Sequence, residues 1–411
     1  MKRRRTSMTI AAALLAAVPA TAHAAWPGVN GRISYTQRVE AAGGVGANRN
    51  LFAMALDGTS SRLTSHPNNE EQSSWAPDGL RLAYKRLEES WILEALDGSG
   101  TTTQITNDPG STNPFNTQPA WSPDGRALLI RSSRLHPTVR QGDILRVDVD
   151  PTSPTYKEIS LVLARPGDER YPTFSPDGTR IAFRGDDDGL DLTGDEELFI
   201  ADADGTNVVQ LTDDAAVDSA PAWSPDGAQL AFESTRDGAD HEIYVMDLAS
   251  RSVTRLTDND VHDEGPAWSP DGRYMAFTRA DTRTSPGDIW VMRADGTEQR
   301  ALLTTPIIEE SPDWQPLPTT VGALDRYPRT ACGDLSLTPG GVASIVAVKV
   351  PCPTARRVAA TWEEGADAGT PPAQIEGFTC TARPHSFDQT LVECDHAGSK
   401  KGVSFVYRAA A

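Results

Sequence analysis

Short runs of this chain alternate apolar and polar residues at period two, as in Arg81-Leu82-Ala83-Tyr84, Ile181-Ala182-Phe183 and Gln229-Leu230-Ala231-Phe232. Successive side chains of an extended chain point to opposite faces, so each run predicts a half-buried strand. Ahead of each stands an aromatic residue and a turn: Trp75-Ala76-Pro77-Asp78-Gly79, Trp121-Ser122-Pro123-Asp124-Gly125, Phe174-Ser175-Pro176-Asp177-Gly178, Trp223-Ser224-Pro225-Asp226-Gly227 and Trp268-Ser269-Pro270-Asp271-Gly272. Proline fixes φ at the second turn position, aspartate tolerates the third, and glycine accepts a positive φ at the exit, so the chain reverses into a hairpin. After a variable loop comes a third strand with an acid or amide before it, at Asn50, Asp143, Glu197, Glu242 and Asp288. A fourth strand then ends in Leu-Thr or Ile-Thr, at Leu63-Thr64, Ile105-Thr106, Leu211-Thr212 and Leu256-Thr257.

The aromatics recur at intervals of 46, 53, 49, 45 and 46 residues, ending on an orphan copy, Pro312-Asp313-Trp314-Gln315-Pro316. Four short strands per unit of about 45 residues describe a propeller blade, which buries its faces only against its neighbours. These units resemble the WD40-like, or PD40, repeats of the TolB family of β-propellers, over roughly residues 26 to 318. The segment Gly31-Arg32-Ile33-Ser34-Tyr35-Thr36 reads as the second strand of a blade that lacks its first, and the orphan copy at Trp314 is a first strand that lacks its continuation. The expected fold is therefore all-β, a six-bladed propeller in which a C-terminal strand completes the first blade and leaves no open edge.

Charge and cysteine content set the surroundings. Lys2-Arg3-Arg4-Arg5, an apolar run from Met8 to Val18, and Ala22-His23-Ala24 before Ala25 form a signal-peptide pattern, so residues 1–24 are expected to be removed on export. No later stretch is apolar for long enough to span a bilayer, so no membrane-embedded role is expected. A formal charge of −19 repels phosphate backbones and argues against a nucleic-acid partner. The propeller is expected over residues 25–318, a linker over 319–324, and a small β or α+β domain over 325–411. That last segment holds all four cysteines, Cys332, Cys352, Cys380 and Cys394. An even count in an exported chain favours two disulfides, and sequence neighbours suggest Cys332 to Cys352 and Cys380 to Cys394, one of three connectivities. Within it, Ala343 to Val350 reads as a strand, Thr354 to Glu364 as a short helix, Phe378 to Cys380 and Leu391 to Cys394 as a hairpin, and Val403 to Tyr407 as a last strand.

The once-per-blade aromatics are expected to pack between sheets, and the turn aspartates to serve their turns. A second series lies three residues before each Pro-x-aromatic or its equivalent: Glu70, Asn116, Glu169, Asp218, Asp263 and Glu309. There the chain enters the innermost strand, so the six are expected to ring one mouth of the channel, as a solvated rim or as a site for a cation or cationic ligand. Like charges so gathered raise one another's pKa unless a positive group joins them. The loop Asp186 to Glu197 is expected on the same face, and Asp186, Asp188, Asp191 and Asp195 are candidate Ca²⁺ ligands, although Leu190 at the fifth position departs from an EF-hand. His66 and His262 occupy comparable blade positions without a third ligand, and Asn113, His136 and Arg140 lie in long loops of the same face. No G-x-S-x-G, H-E-x-x-H, P-loop or dinucleotide motif occurs. The resemblance implies a non-catalytic scaffold of the cell envelope that binds a protein or peptide, with no certain cofactor beyond candidate calcium. The alternative is a metal-dependent lyase or hydrolase at the acidic mouth.

Two bridges leave no free thiol. Intact mass after alkylation of the unreduced protein should show no label, and four labels after reduction. Two or more labels before reduction would contradict the pairing.

Overall fold

The computed structural model describes residues 25–40, 47–56, 58–94, 101–107, 115–135, 141–186, 196–238, 240–283, 285–305 and 307–317, and six strands between 329 and 408. Six four-stranded antiparallel sheets form the propeller. Blade two runs Glu70–Trp75, Arg81–Arg86, Glu89–Glu94 and Thr102–Gln104; blade three Asn116–Trp121, Ala127–Ser132, Asp143–Asp148 and Ile159–Leu163. Blade four runs Arg170–Phe174, Arg180–Asp186, Glu196–Asp202 and Val209–Gln210; blade five Asp218–Trp223, Gln229–Ser234, Glu242–Asp247 and Val253–Arg255. Blade six runs His262–Trp268, Tyr274–Ala280, Gly287–Arg293 and Arg300–Leu303. Blade one is composite: Glu309–Leu317 is its inner strand, followed by Val29–Glu40, Ala47–Met54 and Ser60–Arg62. The register sets Ile33 opposite Trp314 and Gln37 opposite Glu309, so the two ends of the propeller close it as the orphan half-blades predict. No helix occurs among the described residues, and none is long and apolar enough to cross a membrane.

The sequence repeat is legible in the packing. Trp75, Trp121, Phe174, Trp223, Trp268 and Trp314 are all buried. The Trp121 indole N–H donates to Ser74 O of the preceding blade at 3.0 Å, and Trp268 donates to Ala222 O at 3.2 Å. These two rings thus fill the interface and satisfy their one polar atom there. In the turns, the Ser122, Ser175, Ser224 and Ser269 hydroxyls donate to Asp124, Asp177, Asp226 and Asp271 at 2.6 to 2.7 Å. Those aspartates also accept the N–H two residues on, so they hold the turns and offer no metal ladder. The exit glycines Gly125, Gly178, Gly227 and Gly272 have φ of 64 to 71°. A Cβ on Gly178 would meet the Pro123 ring at 3.1 Å, so successive turns also pack against one another around that face.

At the opposite end, every inner strand carries a left-handed residue: Gln72, Gln118, Tyr171, Ala220, Gly265 and Ser311, with φ between 50 and 62°. The ladder register shifts at each of them, which marks one bulge per blade. The freed amides turn to the preceding blade: Gln118 N–H donates to Gln72 Oε1, Tyr171 N–H to Gln118 Oε1, Gly265 N–H to Glu233 Oε2 and Ser311 N–H to Thr278 Oγ1, at 2.8 to 3.2 Å. Five of the six residues have a side chain and so carry some backbone strain, which these inter-blade bonds offset at Gln118, Tyr171 and Ser311.

The strands of 329–408 form one sheet of their own, in the order Arg329–Leu335, Val342–Val348, Gly402–Arg408, Gln389–His396, Phe378–Ser386 and Gln374–Ile375. Cys380 lies opposite Cys394 in its register. The helix expected over 354–364, and Cys352, lie outside the described residues.

Closure by Glu309–Leu317 makes a direct prediction. Deleting residues 311–411 should lower Tm by roughly 10 °C or more, the scale of several kcal/mol in a domain of this size. Deleting 325–411 should leave the propeller's transition in place. Equal melting temperatures for the two truncations would contradict it.

Candidate functional site

The six residues expected at the channel mouth do come together, one per blade at the same level, but none exposes any surface: Glu70, Asn116, Glu169, Asp218, Asp263 and Glu309 are each at 0%. The second strand of the same blade engages five of them. Arg86, Ser132, Ser234, Arg279 and Gln37 lie directly opposite Glu70, Asn116, Asp218, Asp263 and Glu309. Arg86 Nε donates to Glu70 Oε1 at 2.8 Å; Arg279 forms a two-pronged pair with Asp263 at 2.6 Å on both arms; Arg236 reaches Asp218 at 2.6 Å. Ser132 bonds Asn116 at 2.6 Å and Gln37 bonds Glu309 at 2.8 Å. Three of the five acids thus already hold an arginine. The six are internal anchors of the blade, with no surface to offer a solute, because the second strand covers them.

A second ring explains why acids stand there at all. The residues that open the third strands, Asn50, Glu89, Asp143, Glu197 and Glu242, are also buried, and Asp288 partly so. Each faces the inner-strand residue of the next blade. Asn50 Nδ2 donates to Glu70 Oε2 at 3.3 Å, and Asn116 Nδ2 to Glu89 Oε2 at 3.0 Å. A threonine just past the fourth strand ties the junction in four blades: Thr64, Thr106, Thr212 and Thr257 accept the N–H of Leu51, Ser90, Leu198 and Ile243 at 2.9 to 3.0 Å. The third-strand acid, the Leu-Thr ending and the inner-strand acid therefore form one buried polar joint between blades.

Where acid meets acid, ionisation is suppressed. Burial first, then Asp218 and Asp214, push Glu197 up to about 7 against the bonds it accepts. Glu242, Asp288, Asp218 and Glu309 are raised, with burial the first cause in each. Glu169 is the extreme: neither carboxylate oxygen has a hydrogen-bond partner among the described residues, and burial pushes it up to about 8, with Asp143 and Asp168 adding and Arg165 opposing.

The next residue along three consecutive inner strands is also an acid. Glu264 of blade six and Glu71 of blade two both act on Glu310 of blade one: burial, then Glu71 and Glu264, push Glu310 up to about 8 against Arg49. Arg49 pairs with Glu310 at 3.0 Å and with Glu71 at 3.3 Å, and Lys85 with Glu71 at 3.4 Å. Beside Glu264 stand His262, His241, Glu233 and Arg283. The spacing of ring acids pointed at His262, yet His241, Glu233, Glu264, Glu71 and Glu310 went unnoticed. The doublets Glu70-Glu71 and Glu309-Glu310 were the available signal.

His66 does not join them; its Nδ1 accepts the Asn68 N–H at 3.2 Å and its carbonyl takes Asn48 Nδ2. Of the candidate calcium ligands, Asp186 is buried and accepts the Asp168 N–H at 3.4 Å, while Asp188, Asp191 and Asp195 lie outside the described residues, as do Asn113, His136 and Arg140.

Residues 155–321 match the sequence model of the family described as "PD40: TolB beta propeller domain". An uncharacterized protein of Agrobacterium fabrum, Atu1656, is 30% identical over 190 residues, 44% of this chain and 60% of that one. The Tol-Pal system protein TolB of Anaeromyxobacter dehalogenans is 32% identical over 144 residues, 34% of this chain and 28% of that one. The chain thus spans less than two thirds of either relative. Among solved structures, TolB from Acinetobacter baumannii aligns with a TM-score of 0.57 at 21% identity, covering 70% of this chain and 67% of that one. A putative TolB from Agrobacterium tumefaciens aligns at 0.52 and 19%, covering 68% and 92%. At these identities the structures speak for the fold alone, a six-bladed propeller similar to those of TolB proteins.

A carboxyl with a pKa near 8 when folded and near its ordinary 4.5 when unfolded binds more protons folded, so its effect is absent below about pH 4.5 and stability declines as pH rises towards 8. Glu169→Gln should therefore leave Tm unchanged near pH 4 and raise it increasingly up to pH 8, by an amount on the order of 3 kcal/mol. An equal effect at both ends of the range would contradict the buried, protonated carboxyl.

Proposed function

We propose that this chain is an exported, non-catalytic binding scaffold of the cell envelope that takes a protein or peptide partner at the face where the inner strands begin. The observation that carries the reading is the crowding of Glu71, Glu264 and Glu310 on three consecutive inner strands, where burial, then Glu71 and Glu264, raise Glu310, and burial, then Glu233, raise Glu264. A lysine or arginine side chain presented by a partner would lower that repulsion, and the overall charge of −19 would favour its approach. Resemblance to TolB propellers, one of which is named for the Tol-Pal system, supports binding over turnover by fold analogy. The absence of recognisable catalytic motifs agrees with it.

Calorimetric titration with oligoarginine tests this. Binding should weaken with salt, and Glu71→Gln with Glu310→Gln should weaken it at least about tenfold, or ~1.4 kcal/mol. An affinity unchanged in the double variant would overturn the assignment of this mouth.

A further inference from the structure

Beside the acidic mouth, blades five and six bring together a donor set of a different kind. His241 immediately precedes the third strand of blade five, and His262 and Glu264 lie on the inner strand of blade six. One nitrogen from each imidazole and one Glu264 oxygen lie within 4.8 Å of one another. We propose that His241, His262 and Glu264 hold one divalent transition-metal ion of the zinc class, a site that shares Glu264 with the acidic mouth and is tested apart from it with the metal alone.

Four features support it. Ligands at about 2.0 to 2.2 Å from a tetrahedral ion stand about 3.4 Å apart, so side-chain shifts of roughly an ångström would close the set. His262 Nδ1 lies 3.9 Å from Glu264 Oε1, and the hydrogen bond it accepts from the His241 backbone N–H is a long 3.3 Å. His241 Nδ1 is buried without a hydrogen bond, and Glu233 Oε1 faces it at 3.7 Å, placed as the carboxylate that orients a ligating imidazole from behind. Glu233 is itself fixed, since its other oxygen accepts the Gly265 N–H at 2.8 Å.

The charge of the cluster also suits a dication. Among the described residues, Glu233 and Glu264 stand against a single guanidinium, Arg283, whose Nε is 3.2 Å from Glu264 Oε1 and whose side chain is 54% exposed. Arg283 can withdraw into solvent as the ion enters. Two neutral imidazoles and one carboxylate suit Zn²⁺, Co²⁺ or Mn²⁺ and not the all-oxygen shell of Ca²⁺. Three protein ligands leave a position open to water or to a partner's side chain.

Titration of the full, oxidised chain with Co²⁺, followed by visible ligand-field absorption, reads the site directly. One ion per chain should bind, with no thiolate charge-transfer band. His262→Gln and Glu264→Gln should each weaken binding beyond the roughly 10- to 100-fold that loss of an outer partner causes, and His66→Gln should not change it. Binding that survives both blade-six substitutions, or no saturable binding, would overturn the proposal. Should a variant fail to fold, Co²⁺-induced shifts in the imidazole NMR signals of the unmodified chain decide the matter. Shifts confined to His241 and His262 support the site, and shifts elsewhere or none refute it.

Discussion

Everything in this propeller depends on one pairing, between Val29–Glu40 near one end of the repeat region and Glu309–Leu317 at the other. A blade buries its faces only against neighbours, so a ring with one blade unfinished would expose two interfaces and a strand edge. The closing strand also supplies long-range contacts of its own. Asp313 accepts the Trp75 N–H at 2.7 Å, and Gln315 donates to Gly79 O at 2.7 Å, so blade one is fastened to blade two through the strand that completes it.

Closure in turn positions the polar joints. Each buried acid at the start of an inner strand faces a group from the previous blade's third strand, and six joints at one level knit the face around the axis. The arrangement trades stability at neutral pH for geometry, since several of these carboxyls resist ionisation where they stand. It also sets, one residue further along three of the inner strands, a second group of acids, Glu71, Glu264 and Glu310, held by Arg49, Lys85 and Arg283, with His241 and His262 beside Glu264.

Much of the fold was legible because the turn chemistry is local. Proline, aspartate and glycine fix a reversal wherever they occur together, and the aromatic before them can only be a core position when it recurs once per blade. Closure followed from counting strands at the ends. The anchor residues were found by their fixed offset from the aromatic, yet their burial was not, because it comes from partners such as Arg86 and Arg279, sixteen residues on, whose identity varies from blade to blade. Gly185 in blade four offers no such side chain, which leaves Glu169 without one. The meeting of His241 with His262 was hidden for a related reason. One stands just ahead of a third strand and the other on the inner strand of the next blade, and only the register of two sheets brings them together.

Hydrogen exchange of the backbone amides tests closure most directly, because it reads each strand in the intact protein. Amides of Val29–Glu40 and Glu309–Leu317 that pair with each other should exchange as slowly as those of Gln229–Ser234 in blade five, through opening of the whole propeller. Fast exchange confined to blade one, with the other five blades protected, would show that the ring does not depend on that pairing.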